Sequence, residues 1–352
     1  MQKSSPSRST AEEDFYEYTI DVNTTIFQGT YSSIYLAAHS SSPGVALVGR
    51  VYEPTARILP HTSAFLKVLK HIGKRSPHCI ATWDIYFDDA NRVVIFQEFA
   101  LLGNLKDRLR SQNIYVPEDQ LHQWAGQIYQ AMDFLGDCGI CHRAITPKHI
   151  LITPSAEDPS KTVVKLGSFR DSFIYFDPKE GRVRMQPCLD KKQSVNNSFM
   201  APEVFDLEGT RPPELSRVSS TSSQASTESC VSKGRIVKPA ESRADWQQTE
   251  EDKDKDGPDR EYDPIAADVW SYAACFFFAN TRYFAVKYSG ADGNPGPTIQ
   301  KTINYAKNLS PEAKSWFSGL LKPDPSQRTS FNQIADHPWF KKGPAKDDNS
   351  MQ

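Results

Sequence analysis

The chain has 352 residues, of which 41 are basic and 43 acidic. This length suits one large domain of two lobes or two ordinary domains, and charges this closely balanced argue against nucleic acid or an anionic membrane as the main partner. No apolar run reaches the roughly 20 residues that a membrane-spanning helix needs, and the first ten residues lack the apolar stretch of a signal peptide. We therefore expect an intracellular protein, in the cytoplasm, with the nucleus left open.

Six cysteines are scattered along the chain, and only Cys138 and Cys141 have the C-x-x-C spacing of many metal sites. One such pair without a second pair is weak evidence for a metal, and its surroundings are typical of a helix end running into a buried strand. We expect reduced thiols here and no metal.

In chain order, residues 1–14 are polar and serine-rich, which predicts a flexible N-terminus. Short β-type runs dominate the region 15–99 and are interrupted by one helical stretch at 61–73. The region 100–341 is mainly helical in pattern, with a long amphipathic helix at 117–139. Further helices are predicted at 266–280, 311–321 and 330–337, and small β runs at 149–153 and 162–169. A β-rich small lobe followed by a larger helical lobe predicts an α+β fold.

Two segments stand outside this pattern. Residues 207–262 combine a serine- and threonine-rich run with a stretch of alternating charge. Neither part can bury enough apolar area to offset the entropy of ordering it, so we expect a disordered insertion. Residues 342–352 are expected to form a flexible tail.

Five motifs carry a family resemblance when they are taken together and in order. They are "HRAITPKHIL" from residue 142, "KLGSF" from 165, "MAPEVF" from 200, "DVWSYA" from 268 and "DPSQRTSFNQIADHPWF" from 324. With these motifs the chain resembles the eukaryotic protein kinase domain over roughly residues 16–341. The resemblance implies a bilobal kinase-like fold, with an N-lobe at 15–99 and a C-lobe at 100–341.

The resemblance also implies a place for ATP, which this sequence keeps only in part. In "FQGTYS" the three glycine positions of the family's phosphate loop are occupied by Phe27, Gly29 and Ser32, so that one glycine of three remains and Phe27 is expected to crowd a nucleotide or stiffen the hairpin. Arg50 of "VGRV" stands at the position of the phosphate-binding lysine, although a register through "VALV" would leave no cation there. The residues expected to line a nucleotide pocket are Gly29, Arg50, Glu98, Ala100 and Leu151, with Gln97 as gatekeeper.

The groups that perform the family's chemistry are replaced. Ala144 stands at the position of the catalytic aspartate, and Thr146 at that of the lysine which follows it. His149 and Ser168 stand where the family places the two magnesium ligands, and Mg²⁺ prefers oxygen donors with more charge than these offer. The glutamate that pairs with the phosphate-binding lysine is also missing, because no acidic residue lies between Glu53 and Asp84; its position falls at Phe65 or Lys67. The sequence thus predicts no intact catalytic set and no metal site.

Structural positions of the family are retained instead. His142 and Phe169 match residues that pack the core, and Asp268 matches the residue that anchors the catalytic loop. Arg143 matches the arginine that holds a phosphorylated activation segment. Glu203 and Arg328 match a buried ion pair, and keeping both partners is consistent with selection for folding.

The pattern resembles that of a pseudokinase, so the first of the following three functions is the one predicted and the other two are alternatives. The first is a pseudokinase that acts as allosteric regulator or scaffold of a protein partner, such as an active kinase or a signalling complex, and binds nucleotide weakly or not at all. The second is an atypical ATP-dependent serine/threonine kinase with low phosphotransfer activity. The third uses ATP without magnesium as a structural ligand. An upstream kinase is a further expected partner, through the serine-rich segment 216–232.

Overall fold

The structure is a computed structural model that describes residues 12–15, 17–29, 32–52, 59–87, 92–112, 115–177, 181–187, 198–205, 261–285 and 296–342. The chain divides into two compact units, Met1–Asn104 with Ile150–Phe173, and Leu105–His149 with Ile174–Gln352. The expected insertion at 207–262 falls outside the described residues except for 261–262, and so does the expected tail except for its first residue.

The first unit is built on one antiparallel sheet of six strands in the order β1-β2-β3-β4-β6-β5. The strands are β1 Glu12–Phe15, β2 Tyr18–Gln28, β3 Ser32–His39, β4 Leu47–Tyr52, β5 Thr82–Phe87 and β6 Val93–Glu98. The sheet therefore begins inside the segment 1–14, for which the sequence predicts flexibility. One face of the sheet packs around Tyr18 and Phe96, whose rings stack with centroids 4.0 Å apart.

Helix α1, Leu59–Ile72, belongs to the same unit and buries Leu66, Leu69 and Ile72. So does a β-hairpin from later in the chain, formed by β8 Ile150–Pro154 and β9 Thr162–Leu166. Backbone hydrogen bonds tie this hairpin in, because the Ile80 and Leu166 amides donate to the Leu166 and His78 carbonyls at 2.9 and 2.8 Å. The division of the chain is thus not a single break at residue 100, as the sequence pattern suggests, since residues 150–173 join the sheet unit.

The second unit is helical. Its helices are α2 Leu105–Gln112, α3 Glu118–Asp137, α4 Pro264–Thr281, α5 Gly296–Tyr305, α6 Pro311–Leu320 and α7 Pro338–Lys342. Short strands accompany them at β7 Ile140–Cys141, β10 Phe173–Ile174, β11 Phe176–Asp177, β12 Arg182–Val183, β13 Gln186–Pro187 and β14 Glu261–Tyr262. Helix α4 is buried along almost its whole length, and Asp263 caps its start by accepting a hydrogen bond from the Ile265 amide at 2.8 Å.

The predicted α+β class is confirmed, with strands first and helices after them. The predicted helices near 61–73, 117–139, 266–280 and 311–321 are all present. The stretch predicted as a helix at 330–337 is instead the 3₁₀ helix Phe331–Asp336, which begins at a capping box formed by Ser330 and Gln333. Across the described ranges, no helix has both the length and the apolar character needed to cross a bilayer.

Candidate functional site

The loop that carries the kinase-like motif in the helical unit is fixed by Asp268 of α4. The backbone amides of His142 and Arg143 donate to the two carboxylate oxygens of Asp268 at 2.6 and 2.8 Å. The carboxylate is buried, and its burial raises the pKa of Asp268 to about 7, against the opposing effect of the two amide donors. Because both oxygens are used, the loop backbone is held at two consecutive residues.

The backbone keeps an unusual shape at both degenerate motifs. Among the described residues, Arg143, Ser168 and Arg282 have a positive φ without being glycine, at 64°, 63° and 63°. Such a conformation costs an L-residue on the order of 1–3 kcal/mol, and it persists only where the surroundings enforce it. Two of these residues lie in the loop motif and in the "SFR" motif, so both motifs retain a strained shape after their acidic residues have changed.

Two histidines form hydrogen bonds with the backbone of Ala144, the residue at the catalytic-base position. The His149 Nδ1 lies 2.7 Å from the Ala144 carbonyl oxygen, and it must be the donor because a carbonyl only accepts. The Ala144 amide in turn donates to the Nδ1 of buried His142 at 3.3 Å. Thr146 is half-buried, and its carbonyl accepts from the His149 amide at 2.8 Å. Ala144 therefore offers no side-chain acceptor, and both of its backbone groups are engaged.

Arg143 is engaged by neutral acceptors of the same unit. Its Nη1 donates to the Gln186 Oε1 at 3.1 Å, and its side chain also hydrogen-bonds Tyr262. Burial raises the pKa of Tyr262, and the nearby Arg143 partly offsets this rise. Gln186 and Tyr262 are themselves a cross-strand pair of β13 and β14. The guanidinium expected to hold a phosphate thus joins two short strands in the unmodified chain.

Glu203 and Arg328 form a buried bidentate pair. Nη1 and Nη2 of Arg328 lie 2.5 and 2.9 Å from the two Glu203 oxygens, and the side chains are 1% and 9% exposed for Arg328 and Glu203. The guanidinium also donates to the carbonyls of Lys322 and Ala266 at 3.0 and 2.7 Å and lies 5.1 Å over the Trp270 ring. The pair fixes the end of the segment that carries Glu203 to the core of the helical unit.

In the sheet unit, Ser168 and Phe169 differ in burial. Phe169 is 1% exposed and begins a 3₁₀ turn that packs against α1, whereas Ser168 is half-buried. Gly167 before them is required by close packing, because a Cβ there would lie 2.9 Å from the Leu151 Cδ1. Arg170 is exposed and lies 3.8 Å from the Asp171 carboxylate.

Arg50 projects from the middle of β4, on the face opposite the Tyr18–Phe96 core. Its cross-strand neighbours are Ile34 on β3 and Ile95 on β6. The residue is half-buried, and none of the described residues forms a hydrogen bond or ion pair with its guanidinium. Helix α1 contains no aspartate or glutamate, so it provides no carboxylate for Arg50. Of the two residues expected at the glutamate position, Lys67 is exposed, and Phe65 lies among residues whose side chains are not described.

Gly29 is covered by the ring of Phe27. Its amide closes the β2–β3 hairpin by donating to the Ser32 carbonyl at 3.0 Å. A Cβ added at Gly29 would lie 2.9 and 3.2 Å from the Cε1 and Cζ atoms of Phe27, whose side chain is 46% exposed. The aromatic ring therefore occupies the space that the missing side chain of Gly29 leaves open.

A half-buried ion pair joins the last residue of β6 to β9. Lys165 Nζ lies 2.6 and 2.8 Å from the two carboxylate oxygens of Glu98. Ala100 is buried, and its carbonyl accepts from the Gly103 amide at 3.0 Å. Gln97 donates to the Thr82 hydroxyl at 3.1 Å. Leu151, which is also expected to line the nucleotide pocket, lies on β8 in the same unit.

A family model of the protein kinase domain matches residues 20–215, more than half of the chain. The chain belongs to the protein kinase domain family. Among its relatives, a CBL-interacting protein kinase 20 of Oryza sativa is 20% identical over 351 residues, which cover 97% of this chain and 60% of the relative. An Aurora kinase of Dictyostelium discoideum is 22% identical over 346 residues, which cover 97% and 69%.

A third relative, Tribbles homolog 2 of Canis lupus familiaris, is 32% identical over 83 residues, which cover 22% of this chain and 23% of the relative. The chain thus spans between about a quarter and two thirds of the length of these three relatives. Substrates and partners of the whole relatives therefore do not transfer with the domain.

The donor set at the kinase metal positions does not suit Mg²⁺. Ser168 offers a neutral hydroxyl, and the Nδ1 of His149 is already bonded to the loop backbone. Mg²⁺ binds through carboxylates and other hard oxygens in octahedral geometry. Throughout the described ranges, no three His, Cys, Asp or Glu side chains are grouped so as to hold a metal ion, and neither Cys138 nor Cys141 is part of a disulfide.

Three contacts of this kinase domain were not found from the sequence. The His149–Ala144 bond needs the loop conformation, and the Arg143–Gln186 bond joins residues 43 positions apart. The Lys165–Glu98 pair could have been anticipated from the sequence, since an isolated lysine in a strand of otherwise apolar residues indicates an acidic partner nearby.

Proposed function

We propose that this protein kinase domain has lost phosphoryl transfer and acts by binding a protein partner, as an allosteric regulator or a scaffold. The observation that carries the proposal is the state of Ala144. A kinase needs a carboxylate there to orient the substrate hydroxyl, whereas here the position has no side-chain acceptor and its backbone is bonded to His142 and His149. The loop is braced as a structural element.

The loss of magnesium ligands supports the same proposal. Catalysis of phosphoryl transfer is mainly positioning and electrostatic stabilisation of charge, in which the metal has the largest part. Loss of the base alone would leave that contribution in place. With Ser168 and His149 at the metal positions, the chain lacks the metal contribution as well as the catalytic base.

Nucleotide binding is proposed to be weak or absent. The Phe27 ring stands over Gly29, where the family's loop approaches the phosphates most closely. Arg50 favours a second candidate function, in which ATP binds without metal as a structural ligand, because this half-buried residue has no hydrogen-bond or ion-pair partner among the described residues. Two of the relatives are named as kinases, which favours the alternative that this chain is an active kinase, for which we propose an atypical ATP-dependent serine/threonine kinase with low phosphotransfer activity.

A thermal-shift titration with ATP, with and without Mg²⁺ or Mn²⁺, separates these candidates. A ligand at 100 times its Kd stabilises a protein by about 2.7 kcal/mol, which is readily measured. We expect little shift for the parent, and a metal-independent shift for Phe27→Gly that Phe27→Gly/Arg50→Ala lacks. A magnesium-dependent shift of the parent would contradict the proposal.

The partner is proposed to be an active kinase or a signalling complex in the cytoplasm. The serine-rich segment 216–232 is proposed as a site for an upstream kinase, because each phosphate adds about −1.5 to −2 charges and several strong acceptors. Phosphate mapping on protein purified from cells tests this part, and a chain without phosphate in that segment would contradict it.

A further inference from the structure

Helix α4 ends at an arginine in a conformation that favours glycine. Arg282 has φ 63° and ψ 8°, and its amide donates to the Phe278 carbonyl at 2.8 Å. Helices commonly end with a residue in this left-handed region, and that residue is usually glycine because it has no Cβ. Helix termination alone therefore does not explain an arginine here.

One nitrogen of the Arg282 guanidinium, Nη1, also lacks a hydrogen-bonding partner among the described residues. This atom is buried, and it is one of four such unsatisfied side-chain atoms in the described part of the chain. The Arg282 Cζ lies 5.2 Å over the ring of Phe278, which supplies only the negative face of an aromatic ring. A buried guanidinium nitrogen without an acceptor is unfavourable, and a nearby anion would offset part of that cost by neutralising the charge.

The Phe278 ring beside this cation belongs to a cluster of three phenylalanines. Phe278 and Phe284 stack with centroids 4.7 Å apart, and Phe199 packs edge-on against them at 5.5 and 5.6 Å. All three rings are half-buried, and Tyr283, next to Arg282, is 60% exposed. A cation with one unsatisfied donor thus borders partly exposed aromatic surface, and arginine and aromatic side chains are enriched at the anchor points of protein interfaces.

We propose that Arg282 and the phenylalanine cluster bind an acidic peptide segment of the protein partner. A carboxylate would pair with the charge of the guanidinium, and an apolar side chain next to it would lie on the rings of Phe199 and Phe284. The inference deepens the partner-binding part of the proposed function. Direct peptide binding reports on it separately from phosphoryl transfer, so that each can fail without the other.

Fluorescence anisotropy with a labelled peptide Gly-Glu-Glu-Phe-Glu-Glu-Gly tests the proposal on the full chain. The same peptide with glutamine in place of glutamate controls for charge. We expect Arg282→Gln to weaken binding of the glutamate peptide about tenfold or more. The matched control Arg110→Gln removes the same charge from exposed α2 and should change binding less than about twofold. Equal binding by the parent and Arg282→Gln, or equal affinity for the two peptides, would overturn the proposal.

A second variant excludes loss of binding through unfolding. Because glycine is favoured at this φ, Arg282→Gly should melt at least as high as the parent while binding of the glutamate peptide is lost. A melting temperature well below that of the parent would assign the arginine to packing on Phe278 and would overturn the proposal.

Discussion

The functional positions of the helical unit and those of strands β2–β4 in the sheet unit differ in whether they bond to other parts of the protein. In the helical unit, both carboxylate oxygens of Asp268 accept hydrogen bonds from backbone amides. The guanidinium of Arg328 donates to both oxygens of Glu203. On the sheet, Arg50 has no partner among the described residues, and Gly29 is covered by a phenylalanine ring.

The difference separates groups by what they bond to. A carboxylate that bonds to backbone amides contributes to folding whether or not a ligand binds, so its loss is costly in any member of the family. A group whose partner is a nucleotide contributes nothing to folding of the free chain. Groups of the first kind are kept complete here, whereas the nucleotide-binding set is kept only in part, which is the pattern expected under the proposed function.

The largest effect on the helical framework is expected from Arg328→Ala. This change leaves the Glu203 carboxylate buried without its partner and should lower the free energy of unfolding by about 3–5 kcal/mol. Chemical denaturation measured by circular dichroism checks it. Arg110→Ala on the exposed side of α2 is the control and should stay within about 0.5 kcal/mol. An Arg328→Ala protein as stable as its parent would mean that the Glu203–Arg328 pair does not stabilise the fold.

Asp268→Asn should have the next largest effect. Asparagine has one carbonyl oxygen, so one of the two buried amides of His142 and Arg143 loses its acceptor, at a cost of about 1–3 kcal/mol. Urea unfolding of both proteins at the same pH measures the difference. A variant within experimental error of the parent would show that the anchor is replaceable.

The pH dependence of Asp268 sharpens this test. Its pKa is raised from 3.8 to about 7 in the folded protein, so the folded state keeps a proton that the unfolded state releases. The contribution of this group to stability is therefore fully present below about 3.8 and is lost as the pH rises through about 7. The stability gap between the parent and Asp268→Asn should narrow over that window, and a constant gap would contradict the assigned shift.

A smaller effect is expected at His149, where structure and lost chemistry meet. His149→Ala removes the bond to the Ala144 carbonyl and should cost about 0.5–1.5 kcal/mol. His149→Asn keeps a donor of similar reach and should recover most of that loss. Thermal melts of the three proteins check the order, and equal stability of the parent and His149→Ala would show that the histidine does not brace the loop.

Features that depend on local pattern or on a recurring motif could be predicted from the sequence. The buried α4 follows from its apolar run, and the Glu203–Arg328 pair was expected from the family's motifs. Helix α2 was missed because only Leu105 and Leu109 mark its buried face in an otherwise polar stretch. Contacts set by backbone geometry could not be found in this way. Arg282 gives no signal in sequence, because its interest comes from a left-handed φ and an unpaired guanidinium nitrogen.

The central claim concerns phosphoryl transfer, and the most direct measurement is incorporation of labelled phosphate from ATP by the purified chain. The assay is run with Mg²⁺ and with Mn²⁺, on the parent, on Ala144→Asp and on Arg50→Ala as background. The account predicts that the parent and Ala144→Asp incorporate no more phosphate than Arg50→Ala, because restoring a carboxylate at position 144 does not restore the metal ligands. Metal-dependent incorporation by the parent that Arg50→Ala abolishes would contradict it.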